Sequence, residues 1–359
     1  MDELLYFNVK QLPKISPKCA ELYRANKDLL LYALTSRINN DKLLQESLSN
    51  VPKLIIHDMN RYHISLLCSA LELENYEIFL RSIPWEYRAY HNQGLPFDYF
   101  VHIYYYWQEI IKREFDAECA ENLNQIYHWL IEQHGRIISL SQSELPVSIK
   151  DQSHLTQMLI EGNQLGVEKL CKEALSKDSS LNKLFNDTIQ PAMVSVGLLW
   201  EDGEINSAKE HLATATITKV LSDLYTKQPL VHHSRGTAIV TAAPNEHHEL
   251  GAWMIATALE SDDWNVHYLG PNTPIKDLLE LLKETEADLL AISAVIPFHL
   301  DELRELIKQI KCDGELKKIK VIIGGRAFDT LPEIAENMGA DAHLFNADDA
   351  VLKAREWFC

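Results

Sequence analysis

At 359 residues, with 46% hydrophobic and 24% charged content, the chain has room for about two globular domains and is neither fibrous nor disordered in composition. Its 52 acidic residues outnumber 34 Lys and Arg, and the net charge of −18 argues against nucleic acid or an anionic membrane as the main partner, because phosphates call for a basic surface. No apolar run approaches the ~18 residues of a membrane-spanning helix. The acidic start "MDELLYFNVK" lacks the basic-then-apolar order of a signal peptide. Six cysteines (Cys19, Cys68, Cys119, Cys171, Cys312 and Cys359) are scattered without CxxC spacing, which reads as reduced thiols in a cytoplasmic protein.

From Met1 to about Gln142 the chain is rich in Leu, Tyr, His and Asn, with helix-period stretches such as "CAELYRANKDLLLYALTSRI". In "SIPWEYRAYHNQGLPFDYF", Pro84, Gly94 and Pro96 are expected to break helices, and tyrosines cluster. No strand pattern appears, so residues 1–145 read as a helical domain of six or more helices. The polar, proline-bearing "SQSELPVSIKDQS" is the expected linker. Residues 153–230 then bring further helices, opening at Ser153 as an N-cap and closing with the amphipathic "INSAKEHLATATITKVLSDLY".

Over residues 235–359 the pattern changes to short apolar runs, "TAIVTAA", "WNVHYLG", "DLLAISA" and "KVIIGG", separated by helix-length segments and closed by a helix from Ala347 to Trp357. Such runs read as buried parallel strands, and the alternation predicts a doubly wound sheet with helices on both faces. Ligands of such sheets bind beyond the carboxyl ends of the strands. Three loops follow strands there: "PNEHHELG" offers an imidazole, "SAVIPFH" the Ser293 hydroxyl, and "GGRAFD" the adjacent Gly324 and Gly325, expected to let a large ligand approach the backbone. No GxGxxG follows the first strand and no GxxxxGK[ST] is present, which removes the main support for a dinucleotide or P-loop reading. The acidic "ESDDW" reads as a solvated turn.

Glu246-x-His248-x-x-Gly251, then Ser293-x-Val295, then Gly324-Gly325 resembles the D-x-H-x-x-G / S-x-L / G-G signature of cobalamin-binding domains. The resemblance implies that His248 replaces the cofactor's own base beneath cobalt, with His247 a bystander, while the displaced nucleotide tail runs past the Ser and the Gly-Gly. Imidazole suits such a metal, and a carboxylate two residues earlier orients the ring and raises its basicity. Here Glu246 stands for Asp and Val295 for Leu.

Trp200, nine residues, then Glu210-His211 resembles the W-x9-E-H pattern of the adenosylcobalamin-dependent light-sensing regulators. The resemblance implies a helical-bundle cap whose Trp packs over the upper ligand and whose Glu and His line the same space. Where DNA-binding members carry a second His after the Trp, this chain has Glu201. The first domain lacks an arginine-rich recognition helix. Its tyrosine-rich, helical character joined to this module is similar to the photocobilins, which implies a globin-like domain holding biliverdin. His57, His63, Trp85, Tyr87, Arg88, Tyr90 and His91 would then serve the bilin, by stacking, by binding propionates or by facing pyrrole nitrogens.

The expectation is therefore an α/β plus all-α protein with an N-terminal helical, globin-like domain, a helical cap and a Rossmann-like cobalamin-binding domain. It reads as a non-enzymatic photoreceptor using adenosylcobalamin and biliverdin, signalling through a change of conformation or of homo-oligomeric state (a dimer being plausible) or to a downstream protein. The alternative is a corrinoid methyl-carrier protein of a methyltransferase system; a mutase subunit is weaker, for want of a barrel-sized partner domain.

Overall fold

The structure, a computed structural model, describes residues 12–143, 153–176, 180–226, 234–329 and 332–358, so the expected linker falls mostly outside it. The chain divides into two compact units, 1–147 with 199–206, and 148–198 with 207–359. No helix among the described residues is long and apolar enough to cross a membrane.

The first unit is all-helical: α1 (Pro17–Ala25), α2 (Lys27–Asn40), α3 (Lys42–Ser47), α4 (Lys53–Glu72), α5 (Tyr76–Asn92), α6 (Phe97–Glu114) and α7 (Ala117–Ser141). Side chains cap the starts locally: Asp41 accepts from Leu44 N at 3.0 Å, and Asp116 from Cys119 N at 2.9 Å. The aromatic content supplies the interior, where Trp107, Tyr23, Tyr87, Tyr99, Tyr104, Tyr127, Phe79 and Phe100 are fully buried.

Two expectations need correction here. Pro84 lies inside α5 and does not end it; the break comes instead at Gly94 (φ 106°) and Pro96, which precedes α6. A proline costs a helix one backbone donor, and the aromatic packing of this segment outweighs that cost. Cys19 and Cys119 are joined in a disulfide between α1 and α7, 100 positions apart in the sequence. Spacing in the chain gave no sign of a pairing that only the helix packing creates. Cys68 and Cys171 are buried and take part in no disulfide.

The second unit begins with α8 (His154–Ile160), capped by Ser153, and α9 (Gln164–Leu175). A turn at Gly162 (φ 68°) separates them. It continues with α10 (Leu181–Leu184), a π-helical turn, α11 (Gln190–Glu201), whose last turn from Leu199 falls in the first unit, and α12 (Ser207–Tyr225). The sheet follows: β1 (Thr237–Ala242), α13 (Leu250–Ser261), β2 (Asn265–Gly270), α14 (Ile275–Glu284), β3 (Leu289–Ser293), α15 (Leu300–Cys312), β4 (Lys320–Gly324), α16 (Pro332–Asn337), β5 (Ala342–Leu344) and α17 (Ala347–Trp357). All pairings are parallel, in the order β2-β1-β3-β4-β5. β5, only three residues long, is an addition to the four strands expected. The runs of the three inner strands β1, β3 and β4 are buried on both faces, as central parallel strands must be. β2, expected to be buried too, lies at a sheet edge and is mostly half-buried. Trp264 and Leu259 belong to the core.

"ESDDW" is a turn, as expected, with Ser261 exposed, but it is not solvated throughout. Asp262 is buried and accepts from Arg355 Nε at 2.8 Å, with Arg235 Nε 3.2 Å away, so two guanidinium groups offset its burial. The paired glycines also serve the chain itself. A Cβ on Gly324 would stand 2.5 Å from the Leu344 carbonyl oxygen, and one on Gly325, at φ 104°, 2.2 Å from that of Ala294. The open backbone lets β4 close on its neighbours. Gly325→Ala is therefore expected to cost at least ~2 kcal/mol through strain and overpacking, measured as a lower midpoint in urea unfolding.

Candidate functional site

The strand order reverses between β1 and β3, which lie side by side with chain continuing outward on either hand. In sheets of this kind such a switch point is where ligands bind, and here the loops after β1 and β3 flank it. Glu246 and His248 stand in the first loop, Ser293 and Val295 at the second.

Glu246 joins the two loops. Its carboxylate is buried, with 1% of its surface exposed. Oε1 accepts from the His248 backbone N at 3.0 Å and faces His248 Nδ1 at 2.5 Å. Oε2 accepts from the backbone N–H groups of Val295 and Ile296, each at 3.0 Å. Burial alone would raise its pKa, but the His248 hydrogen bond and charge, with the backbone donors, hold it down to about 2. The side chain of His248 stays half exposed, and Nε2 has no hydrogen-bond partner among the described residues. Burial works against protonating this ring, yet the Glu246 hydrogen bond and charge, helped by Glu210, carry its pKa above the usual 6.5, while Arg326 opposes them.

The remaining motif residues lock the same loops. Gly251, in the first turn of α13, leaves room for Ser293, whose Oγ would lie 2.9 Å from a Cβ there. Ala243 N donates to Ser293 O at 2.8 Å, Ala294 N to Gly324 O at 2.9 Å, and Ala327 N to Ala294 O at 3.1 Å. His247 is exposed. Two loop residues, Asn245 and Asn272, and Glu302 in the first turn of α15 escaped the sequence reading. Asn272 N donates to Glu246 O at 3.1 Å, Asn245 N to Asn272 Oδ1 at 3.2 Å, and Asn245 Nδ2 to Glu302 Oε2 at 2.6 Å. Asn245 and Asn272 both have left-handed backbones, at φ 61° and 54°. Their signal was there to be read, since each follows a proline just after a strand, a turn-forming pair.

Of the cap residues, Glu210 opens α12, accepts from Thr214 Oγ1 at 3.3 Å and lies 3.4 Å from Nε2 of the exposed His211. Trp200 and Glu201 close α11 within the first unit, where their carbonyls accept from Gln93 Nε2 at 3.4 Å and Asn92 Nδ2 at 2.7 Å.

The candidate bilin residues are mostly occupied within the first unit. Arg88 donates to the Ser141 and Ser143 carbonyls at 2.7 and 2.6 Å, closing the end of α7. Tyr87 stacks on Phe100 at 3.9 Å and bonds His134 Nδ1 at 3.1 Å. His91 stacks on Phe97 at 3.8 Å. Tyr90 is buried, Trp85 half-buried, and His57 exposed beside Asp58. His63 differs: fully buried, its Nδ1 lies 3.1 Å from Oε1 of the equally buried Glu86, and its Nε2 has no partner among the described residues.

The donor set at the sheet edge fits a corrinoid. One imidazole nitrogen is held by a carboxylate and the ring is half exposed, with its other nitrogen left for a metal such as cobalt to take. When bound, cobalamin would supply the cobalt–carbon chemistry. The chain's own part is to hold the ring of His248 in one tautomer and orientation.

Two profiles, each described as a B12 binding domain, match residues 152–225 and 236–354. The chain is 30% identical over 169 residues to "Dimethylamine corrinoid protein 3" of Methanosarcina acetivorans, covering 47% of this chain and 78% of that protein. It is 30% identical over 166 residues to the protein of the same name from Methanosarcina mazei, covering 46% and 98%. It is also 25% identical over 167 residues to "HTH-type transcriptional repressor CarH" of Myxococcus xanthus, covering 46% and 54%.

Above the unfolded value of 4.5, Glu246 contributes its full share of stability, which is lost as pH falls toward its folded value of about 2. The raised His248 contributes below 6.5 and loses that share as pH rises through its folded value. Glu246→Gln is accordingly expected to destabilise the protein by about 2 kcal/mol. The deficit should be widest between pH 4.5 and 6.5 in unfolding curves, with the His248 titration seen by NMR moving to lower pH. With a fixed imidazole at the switch point of a parallel sheet, and profiles that match both the preceding helices and the sheet, the chain belongs to the family of B12-binding domain proteins.

Proposed function

We propose that this chain is a corrinoid-carrying protein, a binding protein and not an enzyme in its own right, with His248 as the lower axial ligand and Glu246 as its orienting carboxylate. The observation that carries the reading is the buried Glu246 carboxylate, which ties Nδ1 of the half-exposed His248 ring to the Val295–Ile296 backbone and leaves Nε2 uncommitted. Its more specific role follows from relatives that match over 78% and 98% of their own length and are named as corrinoid proteins. On that footing the module carries a methyl group between separate catalytic partners, and α12 helps to enclose the upper face.

A second reading, a light sensor using adenosylcobalamin, rests on the Trp200, Glu201, Glu210 and His211 pattern and on the match to CarH. Residues 1–147 lie outside both B12 binding domain matches. In this reading they form a globin-like domain that holds biliverdin, with the unpaired Nε2 of His63 as its anchor. Illumination would then alter assembly through the differing fit of two cofactor states.

Cofactor choice separates the two. Purified protein loaded in the dark is expected to favour methylcobalamin and to pass the methyl group on when supplied with a methyl donor and methyltransferase. Preference for adenosylcobalamin, with bleaching and a changed elution volume under light, would instead establish the sensor. In either case His248→Ala should abolish the axial-imidazole absorption shift and weaken corrinoid binding at least about tenfold. An unchanged spectrum in that variant would overturn the corrinoid reading.

A further inference from the structure

The loops leaving the carboxyl ends of the five strands are 243–249, 271–274, 294–299, 325–331 and 345–346, and by sequence they contain one Lys or Arg between them, Arg326. In a chain of net charge −18 an isolated guanidinium at the ligand-binding edge needs a reason. Its own contacts give little: the nearest carboxylate is Asp329, 3.9 Å from Nε, and both side chains are about half exposed, at 48% and 57%. Such a pair contributes little by itself. The backbone, in contrast, fixes the residue firmly. Gly325, at φ 104°, turns the chain off β4 against the Ala294 carbonyl, and Ala327 N donates to that same carbonyl at 3.1 Å. Arg326 is thus held one residue from the loop that donates to Glu246, and its field reaches His248.

Cobalamin is a ring bearing neutral amides with one anionic group in its side arms, the phosphodiester of the nucleotide tail. A ring-amide partner needs no charge, whereas a phosphodiester is met best by a guanidinium, which offers paired donors as well as charge. We propose that Arg326 recognises that phosphodiester, so that this residue selects corrinoids carrying a complete nucleotide tail over those that have lost it. The inference rests on the corrinoid reading above.

Binding of cobalamin and of cobinamide, the same ring without the nucleotide and its phosphate, tests it by calorimetry on the full chain. Arg326→Gln is expected to weaken cobalamin binding about tenfold while leaving cobinamide binding within about twofold of the parent. Arg326→Lys should restore part of the loss. The preference of the parent for cobalamin should shrink as salt screens the pair, and in the glutamine variant the salt dependence should be lost. Equal losses for both ligands would overturn the proposal and make Arg326 a residue of the ring site or of the His248 environment. No loss for either would overturn it as well. Failure of the parent protein to bind either corrinoid would sink the underlying reading instead, and circular dichroism of the variant separates these outcomes from misfolding.

Discussion

A buried carboxylate with four donors around it is the constraint from which the rest of the module follows. Taking Glu246 out of water is costly unless its lone pairs are satisfied, and here the partners come from two different loops. The loops after β1 and β3 must therefore come together for the charge to be tolerated. Once they do, the half-exposed imidazole of His248 has one nitrogen committed and the other uncommitted. The orientation of the ring is a consequence of where a negative charge can be buried.

Glycine and serine serve the same end from the chain's side. Ser293 fits because residue 251 has no side chain, and β4 closes because residues 324 and 325 have none. A motif that reads in one dimension as three unrelated short strings is in space a single hydrogen-bonded assembly. Gly324 and Gly325, expected to admit a ligand, first of all admit neighbouring backbone.

Most strands and helices of residues 235–359 were legible because the inner parallel strands, buried on both faces, leave continuous apolar runs with helix-length segments between them. The three-residue β5 and the six-residue α16 were missed, both too short to show a period. The Glu246/His248 pair was legible from spacing, but the use of the Val295 and Ile296 backbone was not, since any side chain can sit above a donating N–H. In the first unit helical character was plain and helix ends were not. Pro84 marks no break because tertiary packing of aromatic residues overrode a local rule. Arg88 and Tyr87 were read as ligand groups, and the fold uses them to close α7 and to stack on Phe100.

The bond between Cys19 and Cys119 joins residues 100 apart in the sequence, across most of the described helical unit. In the chain-entropy account a loop of that size restricts the unfolded ensemble by roughly 4–5 kcal/mol. The module at the sheet edge has no such staple among its described residues. A reducing environment would thus loosen one half of this molecule and leave the other untouched, so the two halves need not share a single melting point.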